Sequence, residues 1–309
     1  MPARSRLSPE RRTRLLAPLP ASPGVYLFHG EAGELLYVGK SKNIRARVRA
    51  HFTTPEERSL CAQIDRVEFR LTAGELGALL LELKLIKELR PLYNIRSRER
   101  HRMVVAAEET GPGGYRTVHV KAVDRITPQS FGTYTAVFRS FTQARETLAE
   151  VARTHRLCPK LLGLERTRRH CFSYHLGQCD GACMGEEPAE AHNARLVAAF
   201  AERRIRLWPY PGSILIEERA EGRNEGEVFV VDSWCLLYSF TYALDTCALR
   251  LEGNHLFDYD AYRILCGYLF SDEHRGSIRP AGRREIDDLL GGVYRPTASP
   301  RLRLHDDIL

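Results

Sequence analysis

Hydrophobic and polar positions change period along the chain, and each change predicts an element. Val25, Leu27, Leu36 and Val38 alternate with Tyr26, Phe28 and Tyr37, and Gly30 and Gly33 lie between the two runs. Alternation broken by glycines predicts a hairpin, opened by Pro23-Gly24 and closed by Gly39. Side chains two apart share a face, so Tyr26 and Tyr37 are expected on the same side of it. From 41 to 52 the period lengthens: Ile44, Val48 and Phe52 mark the inward stripe of a helix. Lys40, Arg47 and His51 fall together on the edge of that stripe, whereas Arg45 and Arg49 point elsewhere. Farther on, Leu76, Leu79, Leu80, Leu83 and Ile86 predict a second helix with a core stripe. Thr72 and Glu75 have the spacing of a capping box, and Pro91 stops the helix. Glu82 lies on the border of this apolar face. A carboxylate there needs a cation or hydrogen bonds, which a salt bridge to Arg47 or a divalent metal would supply.

The later pattern is plainer. Leu196, Ala199, Phe200 and Arg203 predict a helix within 186–207, and Trp208-Pro209-Tyr210-Pro211-Gly212 breaks the chain. Strands are expected over 213–218 and 227–238, and a helix over 259–270 with Asp258 and Asp260 at its start. Residues 271–309 carry little pattern. The expected class is α/β in the α+β sense, in four parts. These are a flexible tail over 1–18, a first domain over 19–100, linker strands with a cysteine-rich segment over 101–207, and a C-terminal α+β domain over 208–309.

Charge adds a partner. The 309 residues carry a net charge of +7. The share is +8 in residues 1–100, +3 in 101–200 and −4 in the remainder. A basic front suggests a polyanion, held by neutralised phosphates. No apolar run is long enough to span a membrane, and the Arg-rich start has no apolar signal core, so a cytoplasmic protein is expected.

Four of the eight cysteines, Cys158, Cys171, Cys179 and Cys183, are bunched with glycines between them. Without a secretory signal this reads as a metal site rather than disulfides. The spacing leaves zinc and iron–sulfur open, with His170 and His175 as available substitutes.

The motifs then match a known pattern. Pro23-Gly24-Val25-Tyr26 and Tyr37-Val38-Gly39-Lys40 resemble the paired signature of GIY-YIG nucleases. Arg47, Glu82 in Leu-Glu-Leu-Lys-Leu-Ile-Lys, and Asn94 in Arg-Pro-Leu-Tyr-Asn come next, in matching order. The last two runs resemble the branch at the front of UvrC, the excision-repair nuclease. Phe131-Gly132-Thr133-Tyr134-Thr135 and the stretch from Cys171 to Cys183 resemble segments that lie after the nuclease domain in UvrC. With Val231-Asp232 and Trp234, the whole is similar to the short, Cho-type members.

The resemblance implies a metal-dependent endonuclease with a small antiparallel sheet and flanking helices. Glu82 would hold Mg²⁺ or Mn²⁺, a hard ion that prefers carboxylate oxygen. Arg47 would bind the scissile phosphate through its planar fork. Lys40 would add charge and lower a neighbouring phenol's pKa. Tyr37, or alternatively Tyr26, would act as the base. Asn94 would orient its loop or contact a phosphate. His51 stands where UvrC proteins commonly carry tyrosine. Lys40, Lys42, Arg45, Arg47 and Arg49 are the expected DNA contacts.

The resemblance also implies a [4Fe–4S] cluster on the four cysteines, with zinc the alternative. It implies one incision 3′ of a lesion by a monomer, on double-stranded DNA loaded with UvrB by UvrA. Competing expectations are a GIY-YIG nuclease that works without UvrB, and a non-catalytic DNA-binding module with a structural metal. A second metal site on Asp232, Asp258 and Asp260 is weaker than a reading of them as helix-start and strand-end residues.

Overall fold

The computed structural model describes residues 8–95, 103–201, 203–222 and 224–294. They form two compact units, one made of residues 1–100 with 210–309 and the other of 101–209.

The first unit starts with helix α1, Pro9–Leu16. Ser8 caps it by accepting from the Arg11 N–H, and proline occupies the first turn, where it removes no helical hydrogen bond. This corrects the expected tail over 1–18: residues 9–16 are helical, and residues 1–7 lie outside the described residues. Eight residues with one buried leucine, Leu15, give too short a stripe for periodicity to show. The helix is tied down instead by Arg11 Nη2, which donates to Ile64 O at 2.8 Å.

Strands β1, Gly24–His29, and β2, Leu35–Ser41, form the predicted hairpin. Helix α2 spans Ile44–His51, capped by Asn43, and a short helix α3 spans Arg58–Cys61. Strand β3, Arg66–Leu71, completes an antiparallel sheet of order β2-β1-β3. Helix α4, Glu75–Leu89, packs on β1 and β2. Tyr26 pairs with Gly39 and Phe28 with Tyr37, so both phenols lie on one face. Gly39 is required there, because a Cβ would sit 2.4 Å from the Tyr26 hydroxyl. Tyr26, Phe28, Leu36, Ile44, Val48 and Ile64 are buried in one core on that face.

Burial along α4 differs from the expected stripe. Leu76, Leu80 and Ile86 are buried as expected, but so are Ala78, Leu81 and Leu85, while Leu79 and Leu83 are only half-buried. The helix is covered on two sides, so a single-face pattern does not describe it.

The second unit holds β4, Met103–Thr110, β5, Arg116–Val123, and β6, Tyr134–Phe138, in the order β5-β4-β6. Helices α5, Phe141–Thr154, and α7, Ala189–Phe200, share a core with this sheet through Leu148, Val151, Leu196 and Phe200. Between them comes the cysteine-rich loop, with the short helix α6, Phe172–His175. The predicted helix over 186–207 is thus confined to α7 and excludes Arg203.

The C-terminal part returns to the first unit. Strands β7, Ile214–Arg219, β8, Glu225–Asp232, β9, Cys235–Ala243, and β10, Thr246–Glu252, form an antiparallel meander. Helix α8, Tyr259–Leu269, is capped by Asp258. Strand β11, Ile278–Pro280, pairs with β7, and helix α9, Arg283–Leu290, comes last. The expected single strand over 227–238 is a hairpin. Ser233 and Trp234 turn it with φ of 47° and 65°. Neither residue is a usual choice for that conformation, so the turn left no signal. Trp234 is buried there, its ring 5.0 Å from that of Tyr262. Residues 271–294, expected to lack structure, carry β11 and α9; 295–309 lie outside the described residues. No described helix is long and apolar enough to cross a membrane.

Candidate nuclease site and thiol cluster

The hairpin, α2 and α4 bring the predicted residues together. Tyr26 is buried, and its hydroxyl lies 2.6 Å from His51 Nε2. Arg47 and Tyr37 are the charged and aromatic neighbours of this phenol, and both bear on its ionisation. The rings of Tyr26, Phe28, Tyr37 and His51 pack as one aromatic cluster, with the two tyrosine centroids 6.2 Å apart. Burial raises the pKa of both phenols. For Tyr26 the neighbouring Tyr37 adds to the rise, for Tyr37 the carboxyl of Glu82 does, and Arg47 opposes it in both.

His51 is fully buried, and burial lowers its pKa below the ordinary imidazole range, against the pull of Glu57. Its Nδ1 lies 2.7 Å from Glu57 Oε2, but off the direction of a good hydrogen bond, so this contact is chiefly electrostatic. A neutral ring with its proton on Nδ1 faces Glu57 with that proton and offers Nε2 to the Tyr26 hydroxyl. Sequence reasoning missed Glu57. It comes after Pro55-Glu56 in a polar turn and has no periodicity to mark it.

Glu82 projects from α4 and accepts the Lys40 backbone N–H at 3.0 Å. Burial pushes its carboxyl up to about 7, although that N–H and the charges of Lys40 and Arg47 oppose the rise. A hard oxygen donor that burial drives toward the neutral form suits a divalent cation, which would stabilise the anion. Asn94 clamps β2: its Oδ1 accepts from Val38 N–H and its Nδ2 donates to Val38 O, both at 2.9 Å. Leu92 and Tyr93 N–H groups donate to Leu35 and Leu36 carbonyls, so this segment lies along the strand that carries Tyr37.

Two expectations change at Lys40. Its Nζ is held by Glu75 at 2.9 Å, and the cation that bears on both phenols is Arg47. Glu75 also holds Lys42 at 2.6 Å. The Thr72–Glu75 capping box therefore does not form: Glu75 is drawn to two lysines, and Thr72 Oγ1 donates to Gly74 O at 2.9 Å. Among the expected DNA contacts, Lys42, Arg45, Arg47 and Arg49 are exposed, and Arg45 Nε donates to Leu19 O at 2.6 Å.

In the second unit, the sulfurs of Cys158, Cys171 and Cys183 lie within 4.8 Å of one another. Cys171 N–H donates to Cys183 Sγ at 3.4 Å, and the buried Cys179 belongs to the same small core. Ala182, Tyr115, Leu161 and Tyr174 wall the group. Burial holds the Cys171 thiol up to about 12. Three soft donors gathered from separate turns, with Cys179 in the same core, fit a thiophilic metal, which would keep them as thiolates. His170 and His175 pair with each other, Nε2 to Nε2 at 2.5 Å, on an exposed turn rather than with the thiols. Asp232 is occupied by Ser213 and Ser233 hydroxyls, and Asp258 by its capping bonds.

Comparison with known proteins covers most of the chain. Residues 22–95 match a UvrC-like GIY-YIG domain, 111–202 the middle domain of UvrC/Cho excinucleases, and 213–285 the excinuclease Cho C-terminal domain. The chain is 37% identical over 270 residues to excinuclease Cho of Salmonella typhi, covering 86% of this chain and 89% of that protein. The same identity and length hold for excinuclease Cho of Escherichia coli K12, of which 88% is covered. UvrABC system protein C of Caldicellulosiruptor saccharolyticus is 32% identical over 211 residues, 66% of this chain and 34% of that one. Among solved structures, the magnesium-bound GIY-YIG N-terminal endonuclease domain of UvrC from Thermotoga maritima is 32% identical. It covers 28% of this chain and 98% of its own, with a TM-score of 0.26.

Proposed function

The chain belongs to the excinuclease Cho family, endonucleases of nucleotide excision repair with a GIY-YIG domain, and on that premise we propose that it makes one incision 3′ of a lesion in UvrB-loaded duplex DNA by metal-dependent hydrolysis. The observation that carries this reading is the convergence of Tyr26, Tyr37, Arg47 and Glu82 on one side of the hairpin, beside a buried neutral histidine.

Phosphodiester hydrolysis requires an activated water and stabilisation of charge on the phosphoryl and leaving oxygens. Arg47, exposed at the edge of the aromatic cluster, binds the scissile phosphate. Tyr37 takes the proton of the attacking water. Its phenol is a poor acid in this setting, so its own proton must have somewhere to go. Tyr37 and Tyr26 are ring neighbours and the Tyr26 hydroxyl meets His51 Nε2, so one proton can pass to Tyr26 as another passes to His51 Nε2. Glu57 stabilises the imidazolium that results. A divalent ion held by Glu82 would act as a Lewis acid toward the phosphate and its leaving 3′-oxygen. Asn94 keeps the strand bearing Tyr37 in register. In the second unit, Cys158, Cys171, Cys179 and Cys183 hold a [4Fe–4S] cluster; support for the four-iron form over zinc comes from the resemblance of the Cys171–Cys183 stretch to UvrC.

The test is an incision assay on a 5′-labelled duplex carrying one bulky adduct, with Mg²⁺ and ATP, with and without UvrA and UvrB. A single UvrB-dependent nick 3′ of the adduct, lost in Glu82→Ala while DNA binding persists, is the expected result. Cutting of undamaged DNA without UvrA and UvrB would overturn it in favour of an independent nuclease.

A further inference from the structure

The helix that carries Glu82 begins without a cap of its own. Gly74 occupies the cap position and has no side chain to offer. Yet the Leu76 and Gly77 N–H groups are satisfied: they donate to Glu218 Oε1 and Oε2, each at 2.8 Å. Glu218 lies on β7, in the C-terminal sheet. A carboxylate across the first turn of a helix meets both its unpaired donors and its positive end.

The seat is built closely. A Cβ at Gly74 would fall 2.5 Å from Glu218 Oε1, and one at Gly77 would fall 2.5 Å from Glu227 Oε2. Glu227, on β8, is fully buried, with Arg250 Nε at 3.5 Å from its Oε1 and Ser239 donating at 3.2 Å. Arg250 also donates to Leu71 O, at the end of β3 just before α4. The other end of α4 is held as well. Lys87 pairs with Asp258 and with Asp260 at the start of α8, and Lys84 Nζ donates to Glu252 O at 3.1 Å. Glu82 lies between the two holds, about two turns from the Glu218 cap and little more than one from Lys87.

We propose that the C-terminal domain is a positioning device for the nuclease: Glu218 is a positioning residue that, by capping α4, sets the height and rotation of the helix and thereby the placement of the Glu82 carboxylate. This rests on the reading of Glu82 as the metal ligand. A misplacement of about 1 Å in such a group is enough to cost about 10²-fold in rate.

The experiment uses the full chain and reads Mn²⁺ binding from the loss of free-ion EPR signal, beside single-turnover nicking. Glu218→Ala is expected to weaken Mn²⁺ binding about tenfold and to slow nicking by about 10² at limiting metal, with saturating metal recovering part of the rate. Adding Gly74→Ser restores both, because serine supplies a local cap in the space the carboxylate leaves. Gly74→Ser alone does not improve on the native chain, since Glu218 fills that space. Should Glu218→Ala fail to fold, Glu218→Gln, which keeps one acceptor, is expected to give an intermediate Mn²⁺ affinity. Native Mn²⁺ affinity in Glu218→Ala or Glu218→Gln overturns the proposal, as does a folded Glu218→Ala whose loss Gly74→Ser does not repair. Glu82→Ala separates the two readings: native Mn²⁺ binding in that variant removes Glu82 as ligand, and the positioning proposal falls with it for a distinct reason.

Discussion

The Tyr26 hydroxyl and His51 Nε2 meet at 2.6 Å inside a closed aromatic cluster. The contact gives the proton of a poorly acidic phenol a base to go to. Lys40, the residue expected to ease that ionisation, has its charge held by Glu75 instead. His51→Gln keeps a polar side chain at the same place and cannot take a proton. We expect it to slow single-turnover nicking by about 10², no less than His51→Ala does. If His51→Gln cuts at the native rate, the proton does not leave through His51.

Glu57 should set the pH at which this works. Burial lowers the pKa of His51 and Glu57 opposes the fall. Glu57→Gln removes the opposition, so the pKa drops further and the neutral ring persists to lower pH. The acid limb of the nicking profile should therefore move to lower pH. The maximum should fall about tenfold, because the imidazolium formed in the step loses its counter-charge. An acid limb that stays in place would assign it to another group.

How much of this is legible in the chain depends on how far apart the contacting residues lie. The hairpin is legible because alternation and glycines are local signals, and Tyr26, Tyr37, Arg47 and Glu82 are legible because their spacing is repeated in a known family. Thr72 and Glu75 look like a capping box because spacing cannot show that Lys40 and Lys42 compete for Glu75. The actual cap, Glu218, is separated from Leu76 by 142 positions in the chain, and no period connects them. Glu57 is close to His51 in the chain but is hidden for another reason: it reaches the ring from a short polar turn that no period marks. The boundary read at 208–212 marks where the chain rejoins the first unit, a return that only tertiary contacts reveal.

The thiol cluster makes a prediction about composition. Purified without air, the chain should contain about four irons and as many acid-labile sulfides, with the broad visible absorption of an iron–sulfur centre. Cys171→Ala should lose both and make residues 101–209 more sensitive to protease, since that thiol lies at the centre of its own small core. One tightly held zinc with no sulfide would replace the four-iron cluster with a tetrahedral ion.

The joint between the C-terminal sheet and α4 makes a prediction about stability. Burial pushes the Glu227 carboxyl up to about 7, from an ordinary value of 4.5, and Glu218 adds to the rise while Arg250 and Ser239 oppose it. Between those values the folded chain holds a proton that the unfolded chain has released. The stabilisation is fully present below 4.5 and is lost as pH rises through 7, amounting to no more than about 3 kcal/mol across the window. Glu227→Gln carries no such proton, so its stability should fall less steeply over the same interval. Glu218 and Glu82 are shifted the same way and will leave a residual slope. Urea unfolding of the native chain and Glu227→Gln at several pH values between about 5 and 8 reads the difference. Parallel curves would mean that Glu227 is already ionised in the folded state at the acid end of that range, with Arg250 close enough to keep it so.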